Sequence, residues 1–125
     1  MTTDTVDFNG VLQANLTGVF SERDAAKRHA AIREIYAPDA ILYEPDEVSI
    51  GHDEIAHTVD ALLKSMPPNF VFTALGPAAG HHGLGRLRWS AGPPEGPVAV
   101  TGLDVVRIES GRIQSLHVFL DAPAA

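Results

Sequence analysis

A run of four β-type segments fills the second half of the chain and constrains the fold more than any other feature. Each segment is rich in β-branched and aromatic side chains, and short stretches containing glycine or proline separate one segment from the next. Strands joined in this way pair with one another as antiparallel hairpins. The sequence therefore predicts a meander of four antiparallel strands, at residues 70–75, 84–91, 98–108 and 113–120.

The first half of the chain carries helical spacing instead. Apolar side chains recur every three or four residues in three segments, residues 8–20, 21–37 and 53–66. Ser21 and Asp24 form a capping-box pattern, which predicts that the second helix begins at Ser21. A short strand at residues 40–44 lies between the second and third helices. This order predicts an α+β fold in which three helices pack on one curved antiparallel sheet.

The C-terminal strands carry apolar residues on both faces. One face can pack on the three helices, but no helical segment is left to cover the other face. A large uncovered apolar face is typical of a protein interaction surface. We therefore expect a homodimer that forms through the outer face of the sheet.

Length and composition limit the function further. The 125 residues are the size of one domain, 1–125, for which we expect an ordered core at about 6–121 and a frayed tail. The net charge of −7 argues against a nucleic-acid partner. The chain has no cysteine, so disulfides, thiol catalysis and cysteine-bound metals are excluded. The histidine spacing does not bring together the three or four ligands of a zinc site, so no metal is expected.

The sequence also predicts where the protein resides. No apolar run approaches the roughly 20 residues that cross a bilayer. The N-terminus does not show the basic and then apolar pattern of a secretory signal. We therefore expect a cytoplasmic protein with no membrane partner.

Asp104 is the residue most informative about chemistry. The two-residue alternation of a strand puts it on one face of segment 98–108, where it is the only charged side chain. An aspartate on an apolar wall has a raised pKa unless it is paired, and its protonated carboxyl can donate a hydrogen bond to a substrate oxygen. The alternative is a structural carboxylate bonded to a neighbouring strand group such as Arg86 or Arg88.

The pairing of Asp104 depends on the turn of the last hairpin. If residues 109–111 form a three-residue turn, Asp104 opposes Leu116; if the turn is only residues 110–111, it opposes His117. The three-residue turn gathers the apolar side chains more completely on one face, so it is the favoured register. In that register Asp104 faces inwards, whereas His117 faces outwards; in the other register His117 is a candidate base.

Three stretches of the sequence resemble the nuclear transport factor 2-like superfamily. They are IREIYAPDAILYEP at 32–45, GHDEI at 51–55 and GLDVVRIESGRIQSLHVFLD at 102–121. This superfamily includes SnoaL-like polyketide cyclases, ketosteroid isomerases and limonene epoxide hydrolases. The resemblance implies a cone-shaped, cystatin-like roll with a pocket between helices and sheet, and commonly a dimer.

The resemblance to ketosteroid isomerases also implies roles for two carboxyl groups. Asp104 matches the aspartic acid of their oxyanion hole. Glu44, which precedes Pro45, matches their general base, although that residue is an aspartate; the alternative is a solvated glutamate at a strand end. Their catalytic tyrosine is missing, because its place falls near Asn15 or Leu16. Asn15 can donate a hydrogen bond into the pocket or bond a backbone group.

The expected pocket is apolar and needs no cofactor. Besides the two catalytic candidates, the side chains expected to contact the substrate are Asn15, Tyr36 on the buried face of the second helix, Phe72, Trp89, Val106, Leu116, Val118 and Leu120. These residues predict an isomerase, cyclase or dehydratase that acts by proton transfer on a small apolar carbonyl compound. The alternatives are a non-catalytic binder of a small apolar ligand, a dimerisation module with a filled interior, and an epoxide-hydrolase-like enzyme that uses Arg88 with Asp104.

Overall fold

The computed structural model describes residues 6–121, so the predicted frayed tail beyond Asp121 lies outside the described residues. Helix α1 spans Phe8–Asn15 and continues as a π-helical turn, Leu16–Phe20. Helix α2 spans Ala25–Ile35, and α3 spans Gly51–Ser65. The strands are β1 (Tyr36–Glu44), β2 (Glu47–Ile50), β3 (Val71–Ala74), β4 (Ala79–His81), β5 (Leu84–Gly92), β6 (Val100–Glu109) and β7 (Arg112–Leu120).

The strands form one curved sheet in the order β2-β1-β7-β6-β5-β3, with β4 also paired to β5. All pairs are antiparallel except β1 and β7, which are parallel. The predicted α+β class is therefore confirmed, but the prediction of a wholly antiparallel sheet is wrong. Strand β1 arrives from α2 rather than through a hairpin with β7, so no short turn forces the two strands to run in opposite directions.

The second helix begins later than the capping-box pattern predicted. Asp24 is its N-cap, and Oδ1 of Asp24 accepts hydrogen bonds from the backbone N–H groups of Ala26 and Lys27 at 3.0 and 3.4 Å. Ser21 ends the π-helical turn instead, and its hydroxyl bonds both backbone groups of Phe72 in β3. Ser21 therefore attaches the end of the first helical segment to the sheet.

Two predicted loops contain strands. The polar segment after Pro45 forms β2, which pairs with β1 so that Glu44 faces Glu47 across a two-residue turn. The glycine-rich segment before Leu84 forms β4, which pairs with β5. Both strands are short and mostly exposed, so they lack the apolar alternation by which strands are recognised in a sequence.

The hydrophobic core lies between the helices and the inner face of the sheet. Its largest fully buried side chains come from all parts of the fold: Leu12, Leu16, Val19, Ile32, Tyr36, Leu42, Ile55, Val59, Leu87, Val106, Ile113 and Leu116. Among the described residues, no helix is long and apolar enough to cross a membrane.

Arg28 joins α2 to α3 through Asp60. Its Nε and Nη2 atoms donate to Oδ1 of Asp60 at 3.0 and 2.7 Å, and Nε2 of His29 lies 3.0 Å from the same carboxylate. Burial alone would raise the pKa of Asp60, but the hydrogen bonds from Arg28 and His29 outweigh burial and lower it. His29 is only partly buried, and its Nε2 atom is satisfied by the Asp60 carboxylate.

We expect the substitution Arg28→Met to lower the free energy of unfolding by about 1–2 kcal/mol, because it removes charge-assisted hydrogen bonds to Asp60, whose carboxylate is left partly exposed and bonded to His29. Urea unfolding at pH 7 measures this change. Arg33→Met, at an exposed position of the same helix, is the control and should change stability by less than about 0.5 kcal/mol. Equal effects of the two substitutions would show that the ion pair does not stabilise the fold.

Candidate active site

A small apolar cavity lies between the first helical segment, α3 and the inner face of the sheet. Its volume is about 50 Å³. The side chains that line it are Leu16, Phe20, Glu44, Leu62, Phe72, Trp89, Asp104, Val118 and Leu120. Leu120 is 53% exposed, so the cavity reaches the surface at that residue. Two carboxyl groups on an otherwise apolar lining are the chemical feature of this cavity.

The hairpin β6–β7 places Asp104 in the cavity. Its turn consists of Ser110 and Gly111, both with positive φ, as a two-residue turn of this kind requires. Beyond the turn the register shifts between Arg107 and Ile108, so that Asp104 pairs with Val118. Both predicted partners of Asp104 are therefore wrong: neither Leu116 nor His117 lies opposite it.

The shift is a β-bulge at Gln114, and burial explains it. Ile113 and Leu116 are both fully buried, although they are three positions apart and strict alternation would turn one of them outwards. The extra residue brings both side chains to the inner face. Because the bulge moves the pairing by two positions from the favoured register, Asp104 still faces inwards and His117 still faces outwards.

Asp104 is 4% exposed, and its one hydrogen bond from the described residues comes from Trp89. The indole Nε1–H donates to Oδ1 of Asp104 at 2.9 Å. Burial raises the pKa of Asp104 to about 7; the hydrogen bond from Trp89 opposes this rise, and the negative charge of Glu44 adds to it. Neither Arg86 nor Arg88 contacts Asp104, so the structural salt bridge considered from the sequence is absent from the described residues.

Glu44 is the second carboxyl group of the cavity. It lies at the end of β1, where Pro45 ends the strand, and it is half-buried. Burial raises the pKa of Glu44, and the nearby negative charges of Glu47 and Asp46 raise it further. A base with a raised pKa holds an abstracted proton more strongly than an exposed glutamate does.

Asn15 and Tyr36 form a buried polar pair that does not line the cavity. The Tyr36 hydroxyl donates to Oδ1 of Asn15 at 2.6 Å, and both side chains are fully buried. Burial raises the pKa of Tyr36, and the charges of Asp104 and Glu44 raise it further, so the hydroxyl stays protonated. Tyr36 is the first residue of β1, not part of α2, which corrects the predicted position. Nδ2 of Asn15 has no partner among the described residues.

Three aromatic rings form one wall of the cavity. Phe20 and Phe72 meet edge to face with ring centroids 5.6 Å apart, and Phe72 meets Trp89 in the same way at 5.2 Å. Because Ser21 fixes the backbone of Phe72, the wall is attached to both the helical segment and the sheet.

The structure brings together four of the eight side chains expected to contact a substrate. Phe72, Trp89, Val118 and Leu120 line the cavity together with the two carboxyl groups. Val106 and Leu116 are fully buried in the core and do not line the cavity, and the same holds for Asn15 and Tyr36. Those four are thus corrected from cavity-lining to buried positions.

The epoxide-hydrolase-like arrangement is contradicted by the position of Arg88. Arg88 lies on the outer face of β5, where it pairs with Asp121 at 3.1 Å, whereas Asp104 faces inwards. His117, the alternative base, also lies outside, with its ring stacked on Tyr43 at a centroid distance of 4.2 Å. Neither residue reaches the cavity.

Sequence reasoning missed three lining residues, Leu16, Phe20 and Leu62. Their helical spacing marks them as core residues, and nothing in that spacing separates a side chain that fills the core from one that borders a cavity. Within residues 6–121, no group of three His, Asp or Glu side chains is placed to hold a metal ion.

Comparison with known proteins supports the predicted resemblance. The sequence pattern of the SnoaL-like domain matches residues 15–116. A solved structure of a proposed SnoaL-like isomerase from Agrobacterium tumefaciens str. C58 is 26% identical, with a TM-score of 0.84 over 92% of this chain and 97% of that chain. A proposed polyketide cyclase from Sinorhizobium meliloti is 19% identical, with a TM-score of 0.70 over 90% and 95% of the two chains.

A proposed ketosteroid isomerase from Kribbella flavida DSM 17836 is 10% identical, with a TM-score of 0.71 over 94% of this chain and 80% of that chain. At such low identity this likeness and that to the cyclase show the fold alone. Among curated proteins, none matches this chain. The domain pattern covers most of the sequence, and the fold agrees with it. This chain belongs to the SnoaL-like family.

Proposed function

We propose that this protein catalyses proton transfer on a small apolar carbonyl compound, in an isomerisation, an aldol-type cyclisation or a dehydration. The observation that carries the proposal is the pair of carboxyl groups, Glu44 and Asp104, on one apolar cavity. Burial keeps a large fraction of Asp104 protonated near pH 7, so that it can donate a hydrogen bond. The similar protein named as an isomerase of the SnoaL-like family supports the same class of reaction.

In the proposed reaction Glu44 is the base. Its carboxylate takes a proton from the carbon next to the carbonyl group, and the electrons of that C–H bond form a carbon–carbon double bond. Negative charge then develops on the carbonyl oxygen, to which Asp104 donates a hydrogen bond. In an isomerisation Glu44 returns the proton to a different carbon, so the proton balance is zero.

The cavity favours a small substrate. Its volume of about 50 Å³ is well below the roughly 300–1,000 Å³ of pockets for drug-sized ligands. The aromatic wall formed by Phe20, Phe72 and Trp89 and the aliphatic side chains opposite it favour a compound that is apolar apart from its carbonyl group.

Hydrogen–deuterium exchange at carbon tests this proposal without knowledge of the substrate. The protein is mixed with a panel of small ketones in D₂O, and proton NMR follows the loss of the signals from hydrogens next to the carbonyl group. We expect at least one ketone to exchange faster than in buffer, and we expect Asp104→Leu, which removes the hydrogen-bond donor, to slow that exchange. Exchange at the buffer rate for every ketone that binds would refute the catalytic proposal.

The second candidate is a non-catalytic binder of a small apolar ligand. Helix α1 favours it, because Asn15 stands near the place where ketosteroid isomerases carry a catalytic tyrosine, and its oxygen is already bonded to Tyr36. Binding of the ketones, measured by ligand-observed NMR, without any exchange would favour this candidate. No cofactor takes part in either proposal.

We also propose that a second copy of the chain covers the outer face of the sheet. The strand registers place Val48, Tyr43, His117, Val105 and Arg86 in one row across this face, from β2 to β5. Next to this row, Ile50 and Phe119 are 55% and 54% exposed. An apolar and aromatic surface that runs across the sheet is suited to burial against another such surface.

Charge favours one direction for the two-fold axis of this dimer. With the axis perpendicular to the strands, β5 would lie on the partner's β5, and Arg86 and Arg88 would face their own copies. With the axis parallel to the strands and between β7 and β6, which places it at the middle of the four strands β1, β7, β6 and β5, β5 lies on the partner's β1, whose outer face presents Ile41 and Tyr43. A guanidinium group is attracted to an aromatic ring and repelled by another guanidinium group, so the parallel axis is favoured.

A charge-exchange experiment tests the dimer and its axis. We expect the wild-type protein to be a dimer and Tyr43→Lys to be a monomer, because the new lysine would face Arg86 of the partner subunit. The double variant Tyr43→Lys, Arg86→Glu should be a dimer again. Light scattering after gel filtration gives the mass of each. A monomeric wild type would refute the dimer, and failure of the double variant to recover would refute the parallel axis.

A further inference from the structure

Trp89 and Gly102 are direct neighbours on the inner face of the sheet. They are paired residues of β5 and β6. A Cβ atom added at Gly102 would lie 2.8 Å from Cε2 of the Trp89 ring and 2.7 Å from the backbone oxygen of Phe119. Real Cβ contacts are not this short. The indole therefore occupies the space that a side chain at position 102 would need.

This close approach directs the indole towards Asp104. Residues 102 and 104 of β6 share the inner face, so a ring packed against Gly102 can extend towards Asp104. The Nε1–H group then donates to Oδ1 at 2.9 Å, within a region where Trp89 is 3% and Asp104 is 4% exposed. Within residues 6–121, the other oxygen, Oδ2, receives no hydrogen bond.

We infer that Gly102 and Trp89 are positioning residues that determine which oxygen of Asp104 carries its proton. In a carboxylic acid the carbonyl oxygen accepts hydrogen bonds better than the hydroxyl oxygen does. The indole can only donate, so it selects Oδ1 as the carbonyl oxygen. The proton is then on Oδ2, the oxygen left free for a ligand in the cavity.

This inference adds to the proposed function how Asp104 is oriented, and its relevance to catalysis rests on that function. A carboxyl group that is free to carry its proton on either oxygen would present a donor to the substrate only part of the time. With Oδ1 occupied, the one remaining donor of Asp104 is Oδ2–H, and it is oriented before the substrate arrives. The bond also stabilises the charged form of Asp104, so it limits how far burial raises the pKa.

Carbon-detected NMR of labelled carboxyl groups measures the effect of Trp89 on Asp104 directly. We expect Trp89→Phe to raise the titration midpoint of Asp104 by about one to two pH units, because a hydrogen bond to the charged form is lost. Phe72→Leu is the matched control: it alters the same wall but removes no hydrogen bond to Asp104, so it should leave the midpoint unchanged. An unchanged midpoint in Trp89→Phe would overturn the inference.

Gly102→Ala tests the same inference with the indole still present. A methyl group at this position must displace the ring, so the midpoint of Asp104 should rise as it does in Trp89→Phe. Trp89 is the only tryptophan, so its fluorescence reports on this contact alone. The fluorescence emission of the wild-type protein should change as the pH passes through the titration midpoint of Asp104. Gly102→Ala should abolish that pH-dependent change. If the emission of Gly102→Ala keeps the pH dependence of the wild-type protein, Gly102 does not position the indole.

These measurements are independent of the proposed function, because no substrate is added. A shifted midpoint together with no ketone exchange would leave the positioning role intact and refute catalysis. Ketone exchange together with an unshifted midpoint would refute the positioning role and leave the catalytic proposal intact. If Gly102→Ala does not fold, Trp89→Phe and its control still decide the role of Trp89.

Discussion

Between pH 4 and pH 7, Asp104 alone is expected to lower the free energy of unfolding by about 4 kcal/mol. Burial raises its pKa from 3.8 to about 7 in the folded protein. Over that range the folded state holds one more proton than the unfolded state, so stability falls by about 1.4 kcal/mol with each pH unit. The contribution is absent below pH 4, where both states are protonated, and complete above pH 7.

Asp104→Asn should remove this dependence. Asparagine has the shape of the protonated acid, and its side-chain oxygen can still accept the hydrogen bond from Trp89. Urea unfolding of both proteins from pH 4 to pH 8 gives the difference between their free energies of unfolding at each pH. The titratable groups that the two proteins share cancel in this difference. The variant should become the more stable protein as the pH rises towards 7. A difference that does not change with pH would show that Asp104 is ionised in the folded state.

Asp60→Asn is a useful contrast, because the sign of its effect is opposite. Hydrogen bonds from Arg28 and His29 lower the pKa of Asp60, so this carboxylate stabilises the fold above its unfolded pKa. That contribution is lost as the pH falls through the folded pKa. The same set of unfolding curves therefore distinguishes a buried acid that lines the cavity from a carboxylate in an ion pair.

The second large effect is expected for Glu44→Gln in the ketone exchange assay. Removal of a general base reduces the rate by about 10²- to 10⁴-fold. Glutamine keeps the length and polarity of the side chain but cannot accept the proton. Glu34→Gln, the same change at an exposed position of α2, is the control and should leave the rate close to that of the wild type.

Glu44→Gln has a second consequence that can be measured without a substrate. The negative charge of Glu44 contributes to the raised pKa of Asp104, so its removal should lower the NMR titration midpoint of Asp104. A lowered midpoint together with a wild-type exchange rate would mean that the two carboxyl groups interact but that Glu44 is not the base. An unchanged midpoint would show that they do not interact.

The fold class and the inward positions of Asp104 and Trp89 follow from local sequence patterns. The alternation in β6 places Asp104 on the buried face, and the same alternation in β5 places Trp89 there too. These assignments depend only on the two-residue period of a strand, which holds whatever the partner strand is. The α+β class likewise follows from the change from helical to strand spacing along the chain.

The tertiary structure decided what depends on pairing between distant segments. The bulge at Gln114 is needed only because Ile113 and Leu116 must both enter one core, and it moved the partner of Asp104 to Val118. The parallel contact of β1 with β7 and the position of Tyr36 in that strand depend on the same packing. Register is set by the summed burial of many side chains, which no single segment contains.

The bond between Trp89 and Asp104 shows both contributions at once. The sequence by itself determined that a lone carboxyl group would lie on an apolar face with its proton favoured by burial. Only the tertiary structure placed Trp89 opposite Gly102, because the loop between β5 and β6 does not fix their register. The chemistry of Asp104 was thus set by its own strand, and its orientation by the neighbouring one.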